Sequence, residues 1–221
     1  ARPAAGRADA KSTAERLSVL LDDASVLALP KSGHVVIDVL GLYTTELVNR
    51  RGSAAAVETE FTHLLEVGNE AYAASGANVR FQFVGFRQAD YPVGPNRDND
   101  VALNDIRNNN VPGLDLHAAR DALRADLVAM LRSYPDGASC GIAYLNGANL
   151  GAENLDSAFG FSVNNVGPCG VYTLAHELGH NLGSTHDRGA SDFARGAYLY
   201  SFGYRQGFSP PFATVMAYNQ G

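Results

Sequence analysis

No run of about 18 apolar residues occurs in this chain of 221, so no membrane-spanning helix is expected. Lysine and arginine nowhere cluster, and the formal net charge is −6. Binding a phosphate backbone needs a basic face, so nucleic acid is excluded as a partner, whereas acidity favours solubility and says little more. The first residues carry Arg2, Arg7, Asp9 and Lys11 without an apolar stretch, which does not read as a signal peptide. Only two cysteines occur, Cys140 and Cys169, and no internal repeat is visible. A single disulfide between them would tie down the segment they flank; two buried free thiols are the alternative. With 46% hydrophobic residues, the chain can bury one core, read as a single domain split by a cleft into two lobes.

Against these absences stands one dense run. Residues 176–187 read His-Glu-Leu-Gly-His-Asn-Leu-Gly-Ser-Thr-His-Asp and hold half of the six histidines. Scattered at this chain's own frequencies, H-E-x-x-H-x-x-G-x-x-H would arise on the order of once in 100,000 chains of this length. His176 and His180 lie one helical turn apart, about 6 Å along the axis, so both rings can reach one ion. Gly183 is the expected helix stop, because a residue without Cβ takes the left-handed conformation that reverses the chain and brings in His186. Three protein ligands leave one position for a water whose pKa falls toward ~7, and Glu177 stands where it can take that proton and pass it to a leaving amine. Structural zinc is usually four-coordinate with cysteines, and none lies in this run.

Together with Thr214-Val-Met-Ala-Tyr218, the run resembles the metzincins, zinc endopeptidases with a methionine-containing turn beneath the metal, and Met216 matches that methionine. Asp187 directly after the third histidine resembles the adamalysin/reprolysin branch. Cys140-Gly-Ile-Ala-Tyr-Leu145 and Ile37-Asp-Val-Leu-Gly-Leu-Tyr-Thr-Thr45 are similar to its secreted bacterial members, among them the peptidyl-Asp metalloendopeptidases. The likeness runs from about Val35 to Tyr218. It implies one catalytic Zn2+ on His176, His180 and His186, with Glu177 as general base and Gly183, Asp187 and Met216 as structural residues. It also implies a monomer secreted as a precursor, its signal and inhibitory segment removed before residue 1. Two features depart from the branch. Tyr218 stands two residues after Met216, as in astacins and serralysins, where such a tyrosine binds zinc or steadies the tetrahedral intermediate; packing in the core is the alternative. And the chain stops at Gly221, where relatives usually continue into the wall of the S1′ pocket, so a truncated or processed form is expected. Cleavage before Asp needs a cation in that pocket, and Arg188, Arg195 and Arg205 lie between the zinc helix and the Met turn.

Along the chain, residues 1–33 read as a mobile tail and a helix over Lys11 to Leu29 closed by Pro30 and Gly33, a candidate pro-segment remnant. Residues 34–221 form the expected catalytic domain, an upper lobe to about 183 and a lower lobe from about 184. His34 to Leu42 predicts a buried strand, Ser53 caps a helix to about Ser75, and Val79 to Phe86 predicts a second strand. Tyr91 to Pro112 reads as a long loop whose acidic and amide groups could bind Ca2+, although the spacing matches no calcium loop. Asp115 to Tyr134 predicts a helix with Leu116, Ala119, Leu123, Leu127 and Met130 inward, and Cys140 to Leu145 a third strand. Ser157 to Asn165 reads as an edge strand with one face buried, along which an extended substrate peptide would pair its backbone. His63 and His117 read as helix-surface or core residues. The fold class is α/β: a twisted mixed sheet with helices in the upper lobe, an active-site helix, and a small irregular lower lobe. Beside an active protease, two readings stay open: a disabled peptide-binding module, and a latent precursor fragment. With no further cysteine, a thiolate from the N-terminal segment cannot be the blocking ligand.

Overall fold

The computed structural model describes residues 35–94, 98–135, 139–191, 195–209 and 211–218; the helix expected over Lys11 to Leu29 lies outside them. The core is a five-stranded mixed sheet in the order β2-β1-β3-β5-β4. Strands β1 (Val35–Thr44), β2 (Val79–Ala89), β3 (Leu127–Ser133) and β5 (Phe161–Val166) run parallel, and β4 (Gly141–Ala143) lies antiparallel to β5 at the edge.

Both faces of the sheet are covered, which is why its central strands are rich in Val, Leu and Met rather than alternating. On one face Leu40, Leu42, Val128, Met130, Phe161 and Val163 pack against helices α3 (Asn99–Arg107) and α4 (Leu116–Leu123). On the other, Val39, Phe81, Ala129 and Leu131 meet α1 (Thr45–Arg51), α2 (Ala54–Ala74) and α5 (Thr173–Asn181). Ser53 caps α2, its hydroxyl accepting from Ala56 N. Buried Asn69 of α2 receives Phe81 N and donates to Phe81 O, satisfying backbone groups on the outer edge of β2.

Three expectations are corrected. The helix expected over Asp115 to Tyr134 stops at Leu123, because Arg124 takes the left-handed conformation (φ 53°) and the chain re-enters the sheet as β3. Leu127 and Met130 are therefore strand residues on opposite faces, and a strand buried on both sides carries no period-2 signal to distinguish it from a helix. The stretch read as a loop contains α3, started by Asp98, whose side chain accepts from Val101 N. The stretch read as an edge strand, Ser157 to Asn165, opens with a 3-10 turn (Ser157–Phe159) and continues into β5, an interior strand; among the described residues the edge is β4.

Beyond α5 the described residues form only short pairs, β6 (Thr185–Asp187) with β7 (Phe202–Gly203) and β8 (Arg205–Gln206) with β9 (Phe212–Ala213). This is the small lower lobe.

Candidate metal centre

The three histidines converge. Their Nε2 atoms form an equilateral triangle, each 3.1 Å from the other two. Helix α5 places His176 and His180 on one side, and its end brings in the third. Gly183, at φ +85°, closes the helix: its amide donates to His180 O (2.9 Å) and the Ser184 amide to Gly179 O (3.0 Å), the two bonds of a Schellman cap. No other residue fits there without strain, and β6 then carries His186 back to its partners.

Backbone carbonyls fix two of the rings. Val215 O faces His176 Nδ1 at 2.7 Å and Ser184 O faces His180 Nδ1 at 2.7 Å. A carbonyl only accepts, so each Nδ1 carries a proton and each Nε2 turns a lone pair to the centre of the triangle. Burial keeps the rings neutral: it lowers the pKa of His176, lowers that of His180 to about 3, with His176 and His186 adding to the effect, and lowers that of His186. Lone pairs gathered at 3.1 Å repel unless they share a cation. Tetrahedral zinc at the usual Zn–N distance of about 2.0–2.1 Å sets its nitrogens ~3.3 Å apart, so the donor set fits that ion.

Glu177 lies beside the triangle, 5% exposed, and burial pushes its carboxyl up to about 8. A dication at the imidazoles would favour its anion and pull that value down. Its neighbour is Gly141 of the edge strand: a Cβ at that position would fall 2.5 Å from Glu177 Oε1. Gly141 is thus a residue of the site that the sequence reading missed. Its signal was faint, a glycine opening an apolar strand beside Cys140, which marks close backbone approach only when the approaching group is known.

Met216 sits under the helix, its sulfur filling the space where Gly179 lacks a Cβ. Gly203 lies against the backbone of the same turn, a Cβ there falling 2.6 Å from the Met216 carbonyl. Asn181 was also missed. Buried at 2%, it donates to the carbonyls of Tyr144, Phe159 and Phe161, tying the helix end to the sheet. The Tyr218 ring packs 4.2 Å from the His186 ring and stacks over His176 at 6.0 Å; the residue is 48% exposed. Partial burial, then the Glu177 and Asp187 carboxylates, raise its hydroxyl pKa.

Cys140 and Cys169 form a disulfide joining the residue before β4 to the loop before α5. The three arginines have different surroundings. Arg205 pairs with Asp187 at 3.0 Å, Arg188 lies 4.1 Å over the Phe202 ring, and Arg195 is exposed, its amide donating to Asn149 Oδ1. His63 and His117 stand apart on helix surfaces, the latter facing Arg107 O at 2.9 Å. Among the described residues, His176, His180 and His186 form the one group of three or more His, Cys, Asp or Glu side chains placed to hold a metal ion.

A mixed sheet whose edge strand faces a helix bearing two of three convergent imidazoles defines the class. Residues 34–220 match the family described as metallo-peptidase family M12B, reprolysin-like, and the chain belongs to that family. It is similar to a peptidyl-Asp metalloendopeptidase of Pseudomonas aeruginosa, 31% identical over 215 residues that cover 88% of this chain and 34% of that protein. Proteins of the same name from Stenotrophomonas maltophilia (29% over 156 residues) and Xanthomonas campestris (27% over 152 residues) each match 68% of the chain and about a third of their own length. The chain thus spans about a third of these relatives. A solved chain from a chaperone–substrate complex shares the fold, with TM-score 0.65 and 21% identity over 85% of this chain and 28% of that one.

Proposed function

We propose that this chain is the catalytic domain of a secreted zinc endopeptidase that cuts on the N-terminal side of Asp. The triangle of Nε2 atoms with the buried Glu177 beside it carries the reading. His176, His180 and His186 would hold the metal. Bound there, zinc supplies Lewis-acid polarisation of a peptide carbonyl and lowers the pKa of water toward ~7.

The chain's own groups supply the rest. Glu177 takes the proton of the attacking water on its carboxylate and passes it to the leaving amide nitrogen. Its burial against Gly141 keeps the carboxylate in one place and out of bulk water, where a base is most effective. Tyr218, its ring against His186 and the residue half-exposed, would donate to the developing oxyanion. The substrate pairs its backbone with β4, whose outer side has no strand partner among the described residues. The names of the relatives support the Asp preference, and Arg195, an exposed cation between the helix and the Met turn, is the candidate to read it. Secretion is supported by the disulfide, which persists in oxidising compartments.

The test is a mass-spectrometric map of cuts in a denatured protein mixture, with and without a zinc chelator, for the wild type and Glu177→Gln. Chelator-sensitive cuts clustered before Asp are expected from the wild type. Glu177→Gln should retain zinc and lose turnover. Near wild-type cutting by that variant would remove Glu177 as the base. Cuts before bulky apolar residues would remove the Asp preference, and no cuts from zinc-loaded protein would sink the protease reading.

A further inference from the structure

Asp187 follows the third histidine, and its carboxylate is buried, at 4% exposure. Oδ1 accepts from Arg205 Nε at 3.0 Å and from the Gly189 amide at 3.1 Å, while Oδ2 is buried with no hydrogen-bond partner. A carboxylate withdrawn from water to this extent needs a cation beside it, and Arg205 is that cation. Gly189 leaves room for it: a Cβ there would lie 2.8 Å from Arg205 Nη2.

Arg205 belongs to β8, which pairs with β9, and β9 runs directly into the Met turn. Next to it, Tyr204 is bonded to that turn twice, its amide donating to Thr214 Oγ1 and its carbonyl accepting from Thr214 N, both at 2.9 Å. One residue on, Val215 offers the carbonyl that orients His176. The contacts therefore run from His186 through Asp187, Arg205, Tyr204, Thr214 and Val215 to His176. The first and third imidazoles are linked beneath the site by a route that avoids helix α5.

We infer that Arg205 is a positioning residue for the metal cluster. By holding the buried Asp187 carboxylate against β8, it fixes the strand bearing His186 relative to the turn that orients His176. This rests on the zinc site of the proposed function and gives Arg205 a task other than reading a substrate side chain.

Two readouts test it: zinc affinity by competition with a chromophoric chelator, and the visible spectrum of the Co(II)-substituted protein. Arg205→Met should bind zinc about 10- to 100-fold more weakly, the usual effect of removing a group that orients a metal ligand, and should alter the cobalt spectrum. Arg205→Lys, which keeps the charge, should restore most of the affinity. Gly189→Ala, which crowds the guanidinium without removing it, should weaken binding in the same direction and stands in if Arg205→Met does not fold. The cleavage-site profile of Arg205→Met should match the wild type at lower rate. Wild-type affinity and spectrum in both Arg205→Met and Gly189→Ala, or loss of the Asp preference with zinc affinity intact, would overturn the inference alone. A wild-type chain that takes up no zinc would overturn the proposed function and this inference with it.

Discussion

Several residues of the site are defined by what they lack. Gly141 and Gly179 have no Cβ, and the space is filled by Glu177 Oε1 in one case and by the Met216 sulfur in the other. Neither glycine needs an unusual backbone conformation, since neither has positive φ; the constraint is close approach. Gly141→Ala should therefore displace the Glu177 carboxylate by close to an ångström. The expected result is roughly a 100-fold loss of kcat, the scale of effect for a misplaced catalytic group, with zinc content unchanged. Steady-state kinetics with metal analysis checks this, and an alanine variant of wild-type rate would show that the carboxylate relaxes freely. Glu177 is legible as a candidate because it stands next to a candidate ligand, His176. Gly141 is not, because only folding puts it within reach.

At the scale of elements, legibility followed the environment of each segment. Helix α2 was readable from its Ser53 cap and the spacing of Val57, Phe61 and Leu65, since one of its faces is wet. Strand β3 was misread because Val128 and Met130 face one helical layer while Ala129 and Leu131 face the other. Local pattern cannot separate such a strand from a buried helix. The interior position of β5 was hidden for a related reason: alternation was visible, but which neighbours flank a strand depends on chain crossovers. The disulfide links the two elements that meet at the site, β4 and α5. Replacing both cysteines by alanine should cost about 3.6 kcal/mol of unfolding free energy, from the loop that the 29-residue separation closes. Denaturant titration measures it, and a loss below about 1 kcal/mol would mean that β4 and the loop before α5 stay in place without the bridge.

Over the whole molecule, the two lobes differ in how they are held. Both hydrophobic clusters belong to the sheet and its helices. After Gly183 the buried hydrophobic residues among those described are only Ala197 and Ala217. The lower lobe is held by the helix cap, the Met216 contact, the Asp187–Arg205 pair and the histidine cluster. Regions with little buried apolar surface open at low free energy. Removing zinc should therefore speed amide exchange across residues 184–191 and 201–218 and leave β1 and β3 protected. Hydrogen-exchange mass spectrometry compares the two forms, and equal exchange in the lower lobe with and without metal would count against the histidines as its clasp.

The sequence by itself determined the donor set, because a metal motif is local. Two ligands one helical turn apart, a glycine that must reverse the chain and a third ligand three residues later lie within twelve positions, and helix geometry does the rest. Only the tertiary structure decided what surrounds that chemistry. It set Gly141 against Glu177, gave Arg205 to Asp187 rather than to open solvent, made β4 an edge among the described strands and buried β5. Each of these is a contact between segments far apart in the chain. Close packing and the pairing of buried charges select such contacts globally, so no short stretch of residues encodes them alone.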